Sequence, residues 1–461
     1  MTRPDAMNLE ARASERLEAW MGAHAEELGW VSDTGAWTWK AIAQAIEQRR
    51  GDLRAAGLSD GATVVIAGNA TRATFEWLAA VGQATRVAVL CGAGRDSVPT
   101  RLRVGARVED DLLSVTGPSP DEACESEPAR ERLRARGHSG LVLRTGGTGG
   151  TPKWVLQDWD RLVTAVVAGG KRPPCRILPL MRFDHIGGLD MLLRATAAGD
   201  TVVEPPAILS PDAIAATVAR HRVEVLPATP TLLNLLLVAE VGRRHDLSSL
   251  RVIPHGAEPL PKALRERLAA AFPGVTFVER FGTTETGALP VERRGEGWVL
   301  RAGAVGYGWE VRDGELWVRS PAAAVGYLGG EPGGPDEDGW FRTGDAAERL
   351  PDGAIRLRGR REGFVNVGGR KVAPAEVEAV LLADPRVVDC RVFGQASALL
   401  GQVVAAEVVW RGGMEAGELG VKREVQAFVA ERLERHQVPV VVRVVAAVET
   451  THVGKKARRG S

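Results

Sequence analysis

The sequence predicts an α/β protein: a large N-terminal domain of layered α/β subdomains with a β-rich subdomain, followed by a small, mobile α+β domain. Three observations lead there. Up to Phe277, short apolar runs alternate with helix-period segments, the pattern of strands connected by crossover helices. After Phe277 Gly, Trp and Arg become frequent and the strand patterns shorten. Beyond Gly359-Arg-Arg-Glu-Gly a separate helix and strand rhythm begins, on a scale that suits an independent unit.

Taken in order, the pattern predicts helices over 10–25 and 39–54 and strands at 63–67 and 88–90. Residues 117–137, rich in Pro, Ser, Glu and Arg, read as a surface connection. From Gly140 the expected elements are strand 141–144, a Gly-rich loop, helix 159–168, strand 176–180, and a helix after Gly188. Strand 223–226, a helix from Pro230 through Val241, strand 252–254 and helix 261–271 follow. Strands at 297–300 and 315–319 mark the β-rich part. The last unit reads as helix 374–383, strands 387–393 and 403–410, helix 420–436 and strand 440–445. The expected domains are 1–361 and 362–461.

Length and composition set outer limits. A chain of 461 residues allows two to four domains. With 59 Lys and Arg against 58 Asp and Glu, it is not built to coat a nucleic acid polymer or an anionic membrane. Hydrophobic residues at 44% with almost no net charge exclude wholesale disorder. Cys91, Cys124, Cys175 and Cys390 stand far apart with no paired spacing, so no disulfide framework or zinc site is indicated. The N-terminus lacks the apolar core of a secretion signal, and no apolar run reaches about 18 residues, so a soluble cytoplasmic protein is expected. Only 8 of the 59 basic residues are lysines, which makes a lysine inside a motif informative.

Five segments carry candidate chemistry. Arg144-Thr-Gly-Gly-Thr-Gly-Gly-Thr-Pro-Lys153 follows an expected strand. Glycines with interleaved hydroxyls let backbone N–H groups surround phosphate oxygens, and the closing lysine adds charge. The Gly-Lys-Ser/Thr ending of a Walker loop is missing. Phe281-Gly-Thr-Thr-Glu285-Thr-Gly offers hydroxyls and a carboxylate on a tight turn, which suit phosphate and Mg²⁺. Asp338-Gly-Trp-Phe-Arg-Thr-Gly-Asp345 places a carboxylate where it can accept both hydroxyls of a ribose. The fourth is Gly359 to Glu378, with Arg360, Glu362 and Gly368-Gly369, and the fifth is Val453-Gly-Lys455-Lys-Ala-Arg458.

In this order and spacing the five segments resemble the core signature of the adenylate-forming superfamily of acyl-CoA synthetases, peptide-synthetase adenylation domains and luciferases. The resemblance runs from about Leu141 to Arg458, and standalone acyl-CoA ligases and amide bond synthetases are its nearest members. Pro254-His-Gly-Ala-Glu-Pro-Leu-Pro looks like the stretch beside the adenine, with Gly256, Ala257 and Glu258 as nucleotide contacts. Gly314-Glu-Leu-Trp-Val-Arg-Ser-Pro and Gly326-Tyr-Leu look like the block before Thr-Gly-Asp. Against the family's usual loop, Gly146, Gly149 and Trp154 stand in place of Ser, Thr and Gly, while Thr145, Thr148, Thr151 and Lys153 remain. Asn366 stands where many members carry lysine.

The resemblance implies an ATP-dependent carboxylic acid ligase with Mg²⁺, which forms an acyl-AMP and transfers the acyl group, with CoA as the expected co-substrate. Nucleotide contacts would come from Thr145, Gly146, Gly147, Thr148, Lys153, Phe281, Gly282 and Thr283. Thr284 would bond the α-phosphate, Glu285 would hold the metal, and Asp345 with Arg360 would grip the ribose. Lys455 would stabilise charge developing at the α-phosphate, with Lys456 as the alternative; a compact ammonium suits that task. Glu362 occupies the hinge. Gly368-Gly369 is either a plain turn or the face past which a pantetheine arm travels. The acid pocket is expected around Phe183, His185, Gly188, Gly256 and Gly282. Asp184 reads as a turn carboxylate or as a base for an attacking amine, and Asp190 is the alternative for that role. Two further readings stand beside the CoA ligase: an amide bond synthetase, and a non-catalytic nucleotide-binding homologue. The absence of a carrier domain on this chain speaks against a multidomain synthetase.

Overall fold

The computed structural model describes residues 12–58, 61–82, 86–91, 104–109, 111–115, 128–145, 153–166, 172–256, 258–294, 297–301, 304–329, 333–411 and 417–449. Cys124, Gly146, Gly147, Thr148, Gly149, Thr151, Ala257, Lys455, Lys456 and Arg458 lie outside these described residues.

Two α/β layers form the N-terminal body. In the first, parallel strands Val104–Glu109, Thr63–Ala67, Val87–Cys91 and Gly140–Thr145 are neighbours. Lys153–Asp158 and Gly326–Leu328 extend this sheet antiparallel on one side, and Leu112–Val115 on the other. Strand Val87–Cys91 is buried along its whole length, as expected of a parallel strand covered on both faces. In the second layer, Leu28–Ser32 pairs with Thr201–Val203 and that strand with Arg176–Ile177, all parallel. Single bridges through Val225 carry the pairing on to Val252–Gly256 and Thr276–Thr283. Helices Ala13–Ala23, Trp39–Ala55 and Ile186–Ala198 contribute to one large core that includes Trp30, Trp39, Phe75 and Phe183. Local signals start several helices: Thr38, Ser210 and Thr229 each accept a backbone N–H at the first turn, and Pro211 and Pro230 open theirs.

The β-rich part is a six-stranded antiparallel sheet that contains Phe341–Arg349, Ile355–Arg360 and Glu315–Arg319. A helical turn over Arg361–Gly363 leads from it into a second sheet, built on the long hairpin Val387–Ser397 and Gly401–Trp410. Helices Pro374–Leu381 and Gly417–Ala430 cover that sheet around a valine-rich core.

Several expectations need correction. Strand 176–180 shortens to Arg176–Ile177, and the helix expected over 420–436 runs over Gly417–Ala430. The connection 117–137 contains a helix, Pro128–Ala135, anchored by buried Ala129 and Leu133. Two small apolar residues among arginines give too weak a periodicity to register. The expected strand 223–226 reduces to bridges at Val225. No described helix is long and apolar enough to cross a membrane.

Candidate active site

Thr145 and Lys153 are cross-strand partners at the ends of two antiparallel strands, so they hold the two ends of the Gly-rich segment side by side. The Thr145 hydroxyl donates to the Lys153 carbonyl at 3.5 Å. Trp154, the residue that departs from the family pattern, is buried in a cluster with Val325 and Leu328 and is paired across strands with Leu328. Its place is in the strand core.

The Thr-rich turn joins Thr276–Thr283 to Gly287–Leu289. The Thr286 N–H donates to the Thr283 hydroxyl at 3.2 Å, the Thr283 N–H to the Thr286 hydroxyl at 3.3 Å, and the two hydroxyls are 3.1 Å apart. The buried Gln157 amide donates to the Thr284 carbonyl, and the Ala324 N–H donates to the Glu285 carbonyl at 2.7 Å. These bonds fix the backbone beneath Thr284 and Glu285. The Tyr327 hydroxyl then donates to Glu285 Oε1 at 3.1 Å, and Lys153 Nζ lies 5.1 Å from the centre of the Tyr327 ring. Lys153 and Glu285 therefore converge on one side chain. A half-buried carboxylate on a hydroxyl-lined turn is the hard oxygen donor that Mg²⁺ selects, so the residues present fit that ion.

Asp345 and Arg360 are cross-strand partners, with Arg360 Nε 3.2 Å from Asp345 Oδ1. Arg360 also donates to the Thr343 carbonyl. Burial pushes the Asp345 carboxyl above the usual range, against the pull of Arg360 and the Thr343 hydrogen bond, and nearby Glu285 and Glu315 push the same way as burial. Asp345 Oδ2 is buried and has no hydrogen-bond partner among the described residues, an opening that a ribose hydroxyl would fill. Glu315 secures the turn: its carboxylate accepts from Gly344 N–H at 3.0 Å, Arg342 at 2.8 Å and Arg361 at 2.9 Å. Burial would raise its pKa, yet the hydrogen bonds from Arg342 and Arg361 hold it below the ordinary value.

On the expected acid side several assignments change. Phe183 is fully buried and packs edge-on to Trp30 at 6.4 Å within the large core. Asp184 is also buried and accepts from Arg182 Nε at 3.1 Å, so it is neither a solvent-facing turn residue nor an unpaired base. Asp190 pairs with Arg194 at 2.8 Å, one helical turn on. His185 caps helix Ile186–Ala198 by position, with its ring partly exposed and Nε2 3.7 Å from Asp184. A Cβ on Gly188, Gly256 or Gly282 would fall within 2.5 Å of a backbone oxygen, so close chain packing accounts for all three glycines. Glu258 accepts from the Thr231 hydroxyl at 2.7 Å and ties down the start of helix Pro230–Val238. His255, in the same stretch, is buried, and burial holds its pKa down at about 4.

In the last unit, Gly368 and Gly369 have φ of 56° and 86° and form the two-residue loop of a hairpin whose flanking partners are Val367 and Arg370. Positive φ at both positions is the type I′ requirement, which glycine meets without strain. Asn366, where lysine is usual in the family, accepts the Gly369 N–H at 3.0 Å and braces that turn. Glu362 sits in the connecting turn Arg361–Gly363. Among the described residues, His138, Asp158 and Asp160 form a group with metal-ligand spacing. Its carboxylates already accept backbone N–H groups from Arg161, Ser139 and Ala13, and Arg136 stands 3.0 Å from Asp158, so it is a structural cap. Sequence reasoning assigned no role to Tyr327, Gln157 or Glu315; the quoted Gly326-Tyr-Leu and Gly314-Glu blocks held two of these three without marking them.

The strand order and paired layers define an adenylate-forming enzyme fold. The structure matches an anthranilate CoA ligase, AuaEII, solved with anthranoyl-AMP, at a TM-score of 0.80 and 19% identity over 99% of this chain and 97% of that one. It also matches the amide bond synthetase McbA from Marinactinospora thermotolerans, at a TM-score of 0.70 and 22% identity over 96% and 98% of the two chains. The AMP-binding enzyme family model matches residues 96–328 and the AMP-binding enzyme C-terminal domain model matches 376–455; the chain belongs to this family. A 4-coumarate–CoA ligase-like protein (number 5) of Oryza sativa subsp. japonica is 31% identical over 308 residues, 64% of this chain. The chain spans 54% of that relative's length.

Proposed function

We propose that the protein is an ATP-dependent carboxylic acid ligase that makes an acyl-AMP and passes the acyl group to the thiol of CoA. The convergence of Lys153, Glu285 and the Asp345–Arg360 pair, brought together from three separate strand systems, carries this reading. A carboxylate is a poor acyl donor because its leaving group would be oxide. Attack of a carboxylate oxygen on the α-phosphorus of ATP breaks the bond to pyrophosphate, and AMP then becomes a competent leaving group. The thiolate sulfur attacks the acyl carbon, and the bond to AMP breaks.

In this scheme Asp345 accepts the ribose hydroxyls while Arg360 holds its carboxylate in place. Thr284 bonds the α-phosphate from a turn that Gln157 fixes, and Lys153 meets the outgoing phosphates. Glu285 holds Mg²⁺, which when bound neutralises charge on the leaving pyrophosphate. Lys455 reaches the α-phosphate from the unit 362–461, which pivots at Glu362 and offers Gly368-Gly369 to the acceptor in its second position. Transfer to an amine is the second reading, because an amide bond synthetase shares the fold. It stands behind CoA because Asp184 and Asp190, the carboxylates suited to deprotonate an amine, are both engaged by arginines.

The test is pyrophosphate release from ATP over a panel of carboxylic acids, with CoA and then with amines as acceptor. Thioester formation is expected. Amide formation without thioester would replace CoA by an amine, and a folded protein that releases no pyrophosphate with any acid would be a non-catalytic homologue.

A further inference from the structure

The chain has only two tyrosines, and one of them stands between Lys153 and Glu285, two of the charged groups of the proposed nucleotide site. Tyr327 lies on the short strand Gly326–Leu328, opposite Val155. Val155 is two residues beyond Lys153, so the tyrosine and the lysine share a sheet face. The ring is braced edge-on by Phe341 at 6.1 Å, and Phe341 opens the strand that carries Asp345. Its hydroxyl donates to Glu285 Oε1, and the ammonium of Lys153 rests over its face. The Glu285 backbone is pinned separately by Ala324, so the Tyr327 hydroxyl acts on the carboxylate itself.

We infer that Tyr327 is a positioning residue for magnesium–ATP: its hydroxyl orients the Glu285 carboxylate toward the metal, and its ring face holds Lys153 toward the phosphates. The inference rests on the reading of this site as one for magnesium–ATP. One oxygen of Glu285 is occupied by the phenol, which fixes the carboxylate plane and leaves the second oxygen to meet the cation. Partners that orient a metal-binding carboxylate in this way typically change metal affinity by about 10- to 100-fold when removed. The ring contact acts on Lys153 independently, through attraction between an ammonium and an aromatic face.

The two contacts separate in two variants. ATP binding is measured by calorimetry with and without Mg²⁺, beside thermal melts and the Mg²⁺ dependence of pyrophosphate release. Tyr327→Phe keeps the ring and is expected to weaken the Mg²⁺-dependent part of ATP binding about tenfold. It should raise the Mg²⁺ needed for half-maximal release by a similar factor, with metal-free ATP binding and melting temperature unchanged. Tyr327→Leu should in addition weaken ATP binding without the metal. Wild-type protein that binds ATP, with Tyr327→Phe showing an unaltered Mg²⁺ dependence, would overturn the inference alone. Equal loss with and without Mg²⁺ in Tyr327→Phe would mark a purely structural tyrosine and overturn it too. Wild-type protein that binds no ATP at all would overturn the nucleotide reading and the inference with it.

Discussion

His255 shows what burial alone does to an ionisable side chain. It sits on strand Val252–Gly256, paired in register with Glu279, and Arg265 and Arg293 add positive charge nearby. Burial first, then those two arginines, holds the ring neutral down to about pH 4, against an ordinary value of 6.5. The unfolded chain takes up a proton on this ring between pH 6.5 and 4 and the folded chain does not, so stability is full above 6.5 and falls as pH drops through that window. The loss at pH 4.5 is about 2–3 kcal/mol. Denaturant unfolding of wild type and His255→Leu at pH 7.5 and 4.5 checks this, with the wild type expected to lose about that much more than the variant on acidification. Parallel losses in the two proteins would contradict it. Asp345 carries the complementary lesson: a buried carboxylate with one oxygen on Arg360 and the other without a described partner is costly unless a ligand completes it.

Strand Lys153–Asp158 illustrates how one element serves stability and chemistry on alternate residues. Lys153 reaches Tyr327, Gln157 fixes the Thr284 carbonyl, and between them Trp154 and Leu156 fill the cluster that seats Gly326–Leu328 on the sheet. Trp154 therefore reads as an adaptation of the core, and Trp154→Ala should destabilise the fold by about 3–5 kcal/mol. A drop of the first unfolding transition in urea checks it; unchanged stability with altered ATP affinity would instead make Trp154 part of the nucleotide loop. The helices were legible where capping and periodicity agreed, as at Trp39–Ala55 and Pro230–Val238. Pro128–Ala135 was not, because its core contact is one Ala and one Leu on an arginine-rich helix. Motif chemistry singled out Glu285 and Asp345 as candidates and the family resemblance added Arg360, whereas the contacts of Tyr327 and Gln157 join segments far apart in the chain, which no local pattern encodes.

At the scale of the molecule, three contacts among the described residues tie the units on either side of the Arg361–Gly363 turn. Arg358 pairs with Glu376 at 3.0 Å, the Asn234 amide donates to the Val388 carbonyl at 3.2 Å, and Arg361 anchors the turn to Glu315 at 2.9 Å. The Arg358–Glu376 pair is exposed on both sides and contributes little, so re-docking of the small unit is expected to break it at modest cost. This suits the two-step reaction proposed above, in which one unit would present Lys455 for adenylation and the Gly368-Gly369 hairpin for acyl transfer. The arrangement predicts a separation of half-reactions. Lys455→Ala should lower acyl-AMP formation by at least about a hundredfold, the loss expected when a group aimed at developing charge is removed. Transfer from chemically prepared acyl-AMP to the acceptor should stay within about threefold of wild type if, as proposed, the small unit has turned before that step. Pyrophosphate release and product formation from the prepared adenylate, measured separately on the same preparation, give both numbers. Comparable loss in both would mean that Lys455 serves a single fixed conformation, and the small unit would not need to turn.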